Sequence, residues 1–201
     1  MTNSAGEGSP VSASTPHLVL IGPPAAGKSR LGKRIARLLK VPFIDTDRRI
    51  VARYGPIAQI FGEHGEARYR EIERVEVQRA LSEAAVVALG GGAIVHAATQ
   101  ADLAAHRVAL ITVSEAAVAT RILGASRPLI QGVETWSKLV ESRREIYERL
   151  AARSWDTSDR PIEQIAVEIA AWVAAETHPA EQVPNRAVPV SEISLAKDPP
   201  Q

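Results

Sequence analysis

The chain has 201 residues, 45% hydrophobic and 23% charged, and its 24 Lys+Arg against 23 Asp+Glu leave a net charge of +1. That length suits one domain with a real core, the charge balance argues against nucleic acid or an anionic membrane as the main partner, and the absence of cysteine excludes a disulfide scaffold, a cysteine-ligated zinc site and a thiol nucleophile. No segment approaches the ~18 consecutive apolar residues of a membrane span, and the first residues, MTNSAGEGSPVSASTPH, lack the basic start and apolar run of a signal peptide, so a cytoplasmic globular protein is expected.

In chain order, residues 1–16 are rich in Ser, Gly, Pro, Thr and Ala without apolar periodicity and read as a disordered leader. His17–Ile21 (HLVLI) reads as a buried strand ended by a Gly-Pro-Pro turn. A helix follows over Lys28–Lys40, with Leu31, Ile35, Leu38 and Leu39 at helical spacing and Arg30, Lys33, Arg34 and Arg37 on a solvated face. Val41–Ile44 is a second strand, and Arg48–Tyr54, Ile57–Phe61 and Glu66–Ala84 read as helices. Val86–Leu89 is a strand running into Gly90-Gly91-Gly92, and Arg107–Val113 is another. Helices near Glu115–Leu123 and over Trp136–Ala152 come next. Pro161–Ala175 closes the unit, its proline suited to a first helical turn and Ile162, Ile165, Ile169 and Trp172 on one face. Residues 177–201, with scattered prolines, read as a disordered tail around a short VPVSEISL patch, so the folded unit spans 17–176. Apolar strands alternating with helices predict an α/β fold, a parallel sheet covered on both faces.

Gly22-Pro23-Pro24-Ala25-Ala26-Gly27-Lys28-Ser29 fits GxxxxGK followed by Ser or Thr, after a strand and opening a helix as that phosphate-binding motif requires. Its glycines let backbone N–H groups face one centre, and the helix N-terminus adds positive potential. Lys28 is expected to reach the β- and γ-phosphates of a nucleotide and the Ser29 hydroxyl to ligate Mg²⁺. The second strand ends in Asp45-Thr46-Asp47, and ligands of parallel sheets sit at strand C-termini, so two carboxylates are expected beside the phosphates. One can hold Mg²⁺ and the other can accept a hydrogen bond from a substrate hydroxyl; the plainer alternative is that Asp47 or Thr46 caps the next helix. Gly90, Gly91 and Gly92 bring bare backbone to the same sheet edge, where the plainer alternative is a flexible loop.

GPPAAGKS, IDTD, IFGEHGEARYREIE, LGGG, SRPL and RREIY, in that order, resemble the shikimate kinase family over about His17 to Trp172. The resemblance implies a three-layer P-loop NTPase fold of the nucleoside-monophosphate-kinase type: a five-stranded parallel sheet, a helical substrate-binding region and a mobile lid over Gly124–Thr135. It implies a monomer that uses ATP and Mg²⁺ to phosphorylate the 3-hydroxyl of shikimate on the way to chorismate and the aromatic amino acids. By the same resemblance, residues 22–29 with Arg30 bind ATP, Arg121 and Pro161 pack the adenine, and Lys28, Asp47 and Arg127 are catalytic. Asp47 would receive the attacking proton, and Ser29 and Asp45 would hold Mg²⁺. Arg70, oriented by Glu73, and Arg143 would clamp the acceptor carboxylate. Gly90–Gly92 would complete the acceptor site, with Phe61, Tyr69 and Pro128 as its walls. Arg127 would neutralise transition-state charge from the lid.

The chain departs from the family pattern in places. Ala25 stands where Gly is common, Arg30 where Thr or Ser is usual, and Tyr69 in place of Phe, while the stretch between Arg127 and Arg143 is a few residues short. Two alternatives compete: a kinase of the same fold acting on another hydroxy acid such as gluconate, and a non-catalytic nucleotide-binding regulator. The second is disfavoured by the presence of Lys28, Asp45, Asp47 and Arg127.

Overall fold

Five strands, β1 (Leu18–Ile21), β2 (Phe43–Asp45), β3 (Val86–Ala88), β4 (Val108–Thr112) and β5 (Arg153–Asp156), form one all-parallel sheet in the order β2-β3-β1-β4-β5. The structure is a computed structural model that describes residues 15–123 and 132–177. The central strands β1, β3 and β4 are covered on both faces, which is why they read as continuous apolar runs. Residue reading finds four strands; β5 escapes it because RSWD is an edge strand with three exposed residues and needs no apolar run.

Two helical layers cover the sheet. On one face, Leu18, Leu20, Ala109 and Ile111 pack against α1 (Lys28–Leu39), α8 (Ile162–Thr177), Val118 of α5 (Glu115–Leu123) and Trp136 of α6 (Val133–Glu141). On the other, Val19, Ile21, Val87 and Leu110 meet the C-terminal half of α3 (Ile57–Leu81), Leu103 of α4 (Ala97–Leu103) and Tyr147 of α7 (Arg144–Leu150). A separate small core, Ile50, Ile60, Tyr69 and Ile72, joins α2 (Thr46–Tyr54) to the first half of α3 and builds the helical region beyond the sheet edge.

Three departures from the sequence reading have physical causes. The expected helix Trp136–Ala152 is broken into α6 and α7 at Ser142 and Arg143. Eleven residues apart, Trp136 and Tyr147 would share one face of a continuous helix, yet they are buried in cores on opposite faces of the sheet. The helices expected over Ile57–Phe61 and Glu66–Ala84 run from Ile57 to Leu81 with non-helical backbone only at Gly65 (φ 76°, ψ 172°). A 3₁₀ turn (Ala93–Val95) and α4 fill a stretch read without elements, because α4 buries only Thr99 and Leu103 and shows no periodicity. The expected leader and tail lie outside the described residues, apart from Thr15, Pro16 and Thr177, as does most of the expected lid, including Arg127 and Pro128. Among the described residues no helix is long and apolar enough to cross a membrane.

Candidate active site

The phosphate loop leaves β1 at Gly22, whose φ is +140° and where a Cβ would stand 2.1 Å from the Ile111 carbonyl oxygen, so only glycine passes there. Gly27 (φ 86°) turns the chain into α1, whose N-terminus has no side-chain cap and so offers its first N–H groups to an anion. Lys28 Nζ donates to the Gly22 carbonyl at 2.8 Å and the Pro23 carbonyl at 3.0 Å, which places its ammonium at the loop. Ala25 holds φ 65°, a left-handed conformation at a non-glycine residue.

At the C-terminal end of β2, Ser29 Oγ donates to Asp45 Oδ2 at 2.5 Å. A hydroxyl and a carboxylate meeting beside the phosphate loop form the oxygen donor set that Mg²⁺ takes when it keeps waters and phosphates as its other ligands. The helix-capping alternative falls on neither Asp47 nor Thr46. Asp45 itself caps α2, its Oδ1 accepting from Arg48 N–H at 3.1 Å. Thr46, fully buried, ties the acidic turn to the glycines: its Oγ1 accepts from Gly90 N–H at 3.0 Å and donates to the Ala88 carbonyl at 3.4 Å.

Each of the three glycines meets a different partner. A Cβ on Gly90 would stand 2.3 Å from Asp47 Oδ1, one on Gly91 3.1 Å from Pro24 Cδ, and one on Gly92 2.5 Å from Arg70 Nη1. The Gly91 carbonyl accepts from Arg143 Nη1 and from Tyr147 Oη, both at 2.9 Å. Residues spread over the phosphate loop, α2, α3, the α6–α7 break and α7 therefore converge on the bare backbone of three glycines, and the flexible-loop alternative for Gly90–Gly92 is not what is found.

Arg70 Nη1 bonds Glu73 Oε2 at 2.7 Å, and Glu73 is 3% exposed, so the orienting role expected of Glu73 has its geometry. Glu66, which the sequence reading assigns no role, takes Nη2 at 3.0 Å and Nε at 3.3 Å from the solvent side. Burial works against the charge on Arg70, but the bonds from Glu73 and Glu66 outweigh it and raise its pKa above the ordinary value. Tyr69 is buried, its ring 4.6 Å from that of Phe61, and its hydroxyl donates to Glu73 Oε1 at 3.4 Å. Burial first, and then the neighbouring Glu73 and Asp47 carboxylates, push the phenol pKa far above its ordinary value, so this hydroxyl stays protonated.

Other predicted residues stand apart from this cluster. Arg121 spends its guanidinium on the Ala25 carbonyl (3.0 Å) and on Thr157, reaching Oγ1 at 3.2 Å and the carbonyl at 2.5 Å. Pro161 opens α8 beside the loop, where Ile162 Cδ1 lies 3.7 Å from a Cβ built on Gly27. Arg30 is exposed on the first turn of α1. Thr46, Tyr147, Thr157 and the indole N–H of Trp136 act on the site without being predicted. Thr46 sits inside the Asp-Thr-Asp motif and Tyr147 ends the RREIY motif, so both could have been suspected, whereas Trp136 and Thr157 carry no local signal.

The profile of the shikimate kinase family matches residues 24–174. The shikimate kinase of Salinispora arenicola is 42% identical over 165 residues, spanning 80% of this chain and 99% of that protein. That of Thermobifida fusca is 43% identical over 162 residues, 78% of this chain and 94% of its own length. A solved structure of shikimate kinase from Acinetobacter baumannii in complex with shikimate superposes with a TM-score of 0.74 at 28% identity, covering 81% of this chain and 94% of that one.

Proposed function

We infer that this chain, which belongs to the shikimate kinase family, transfers the γ-phosphoryl group of ATP to the 3-hydroxyl of shikimate. The observation that carries the reading is the meeting of Asp47, Arg70, Arg143 and the phosphate loop on Gly90–Gly92. Arginine forks suit a carboxylate, Asp47 suits a hydroxyl, and the loop beside them suits the phosphoryl donor. The attacking hydroxyl oxygen bonds the γ-phosphorus while the bond to the β-bridging oxygen breaks; the hydroxyl proton passes to the Asp47 carboxylate and on to water. Lys28 and the first N–H groups of α1 stabilise the phosphate charge, and Arg70 and Arg143 hold the acceptor in line, which is most of what phosphoryl transfer asks of a protein. Ser29 and Asp45 would hold Mg²⁺, which would supply neutralisation of phosphate charge. The part assigned to Arg127 rests on the SRPL motif alone. The reading carries a monomeric cytoplasmic enzyme.

A coupled assay of ADP release with ATP, Mg²⁺ and, in turn, shikimate, quinate, gluconate or no acceptor tests it. Release that depends on shikimate is expected. Release with gluconate instead moves the chain to another acceptor, and no ADP release with any acceptor in a chain that still binds ATP makes it a regulator.

A further inference from the structure

The carbonyl groups of the phosphate loop are taken up one after another, two by the loop's own lysine and three by groups outside it. Those of Gly22 and Pro23 accept from Lys28 Nζ. The Pro24 carbonyl accepts from the Trp136 indole N–H at 2.9 Å, that of Ala25 from Arg121 Nη1 at 3.0 Å, and that of Ala26 from Thr157 Oγ1 at 2.9 Å. The last three donors come from α6, α5 and the turn after β5, at sequence separations of 112, 96 and 131 residues. Arg121 and Thr157 also bond each other, so two of the donors form one unit.

Peptide planes make this a statement about anion binding. In a trans unit the N–H points away from the C=O, and the described residues contain no cis peptide. Drawing the Pro24 and Ala26 carbonyls outward therefore aims the N–H groups of Ala25 and Gly27 toward the concave side. Pro23 and Pro24 have no N–H to offer, so these few amides matter more than in a loop without prolines. At the centre stands Ala25 with φ 65°, a conformation that disfavours any residue with a Cβ.

We propose that Trp136, Arg121 and Thr157 form an outer brace that holds the phosphate loop in its anion-binding shape before nucleotide arrives, and that this brace is what keeps Ala25 in its left-handed conformation. They are positioning residues, acting through the loop amides. For Arg121 this is a task in addition to the adenine packing expected of it, since edge hydrogen bonds leave the guanidinium face open. The inference rests on the reading of the loop as a nucleotide site, and not on the identity of the acceptor.

The test is the affinity of ADP, measured calorimetrically, for the full chain carrying Trp136→Phe, which keeps an aromatic ring but loses the N–H together with the fused pyrrole ring, and Thr157→Val, its near-isostere. Each is made alone and together with Ala25→Gly. Each single variant is expected to weaken ADP roughly fivefold, the size of one net hydrogen bond, with the KM for ATP rising in step and the KM for shikimate unchanged. Ala25→Gly alone serves as the reference for the double variants, and relative to it either brace variant should lose much less affinity than it loses in the wild-type loop, because glycine takes the left-handed turn without a brace. ADP affinity unchanged in both variants, or a loss just as large in the Ala25→Gly background, overturns the proposal. Should Trp136→Phe fail to fold, Thr157→Val carries the same test. A wild-type chain that binds ADP but does not phosphorylate shikimate removes the shikimate reading and leaves the brace standing; one that does not bind ADP removes both.

Discussion

Replacing Gly92 by Ala should disable the acceptor site while sparing the fold and the nucleotide site. Gly92 has φ −96° and ψ −15°, which any residue adopts, so the backbone is not strained. The new Cβ would lie 2.5 Å from Arg70 Nη1 and 3.2 Å from Cζ and Nη2. Since carbon prefers heavy-atom separations of about 3.5 Å, the guanidinium must retreat by about 1 Å. It can do so because the Arg70 side chain is 30% exposed. An arginine fork displaced that far loses at least one charge-assisted hydrogen bond to the acceptor carboxylate, about 1.5–3 kcal/mol, or roughly a 10–100-fold rise in the KM for shikimate. The phosphate loop is not displaced, so the KM for ATP should hold. Steady-state kinetics with each substrate varied in turn, and a thermal melt, read all three quantities. A folded Gly92→Ala chain whose KM for shikimate stays within about twofold of wild type would refute Arg70 as an acceptor-binding residue. Gly22→Ala is the contrast: its Cβ meets the backbone oxygen of Ile111, inside the sheet, at 2.1 Å. That variant should lose the folded state itself.

Three further outcomes follow from the same geometry. Thr46→Val keeps the buried shape but leaves Gly90 N–H without its acceptor; denaturant unfolding should show a loss of about 1–3 kcal/mol, with the KM for shikimate raised and that for ATP held. Glu66 competes for Arg70 from the solvent, its side chain 66% exposed. Glu66→Ala should therefore lower the KM for shikimate about two- to threefold, in keeping with a weak exposed ion pair, and a rise would mean that Glu66 positions Arg70 instead. Glu83, bonded to Arg49 at 2.5 and 3.0 Å, has its pKa lowered from 4.5, first by that hydrogen bond. The unfolded chain therefore binds this proton at higher pH than the folded one, so the stabilisation is complete above 4.5 and is lost as pH falls through the lowered value. The melting-temperature difference between wild type and Glu83→Gln should shrink on going from about pH 6 to about pH 3, and a difference independent of pH would refute the assignment.

Much of the site was legible because its chemistry is local. The phosphate loop, Asp45-Thr46-Asp47 and Gly90-Gly91-Gly92 each follow an apolar strand, and parallel strands deliver their C-terminal ends to one edge. Arg70 and Glu73, three residues apart on a helix, had to be neighbours. Buried strands announce themselves because both faces must be apolar, whereas β5, exposed at the sheet edge, carries no such demand and leaves no apolar run to read. The break at Arg143 was equally silent. Its cause is that Trp136 and Tyr147 belong to different cores, and nothing between residues 136 and 147 states which face of the sheet each will meet.

The buried strands and the amphipathic helices, the turns that require glycine and the groups able to do the chemistry are written in the chain itself, since these depend on interactions within a few residues, whereas an exposed edge strand and a broken helix are not. Which partners those groups meet is set by long-range packing: Thr46 on Gly90, Arg143 and Tyr147 on Gly91, Glu66 on Arg70, and Trp136, Arg121 and Thr157 on the phosphate loop. Except for Glu66 and Arg70, these pairs are far apart in sequence, and a hydrogen bond between them exists only because sheet order and helix packing carry both ends to the same place.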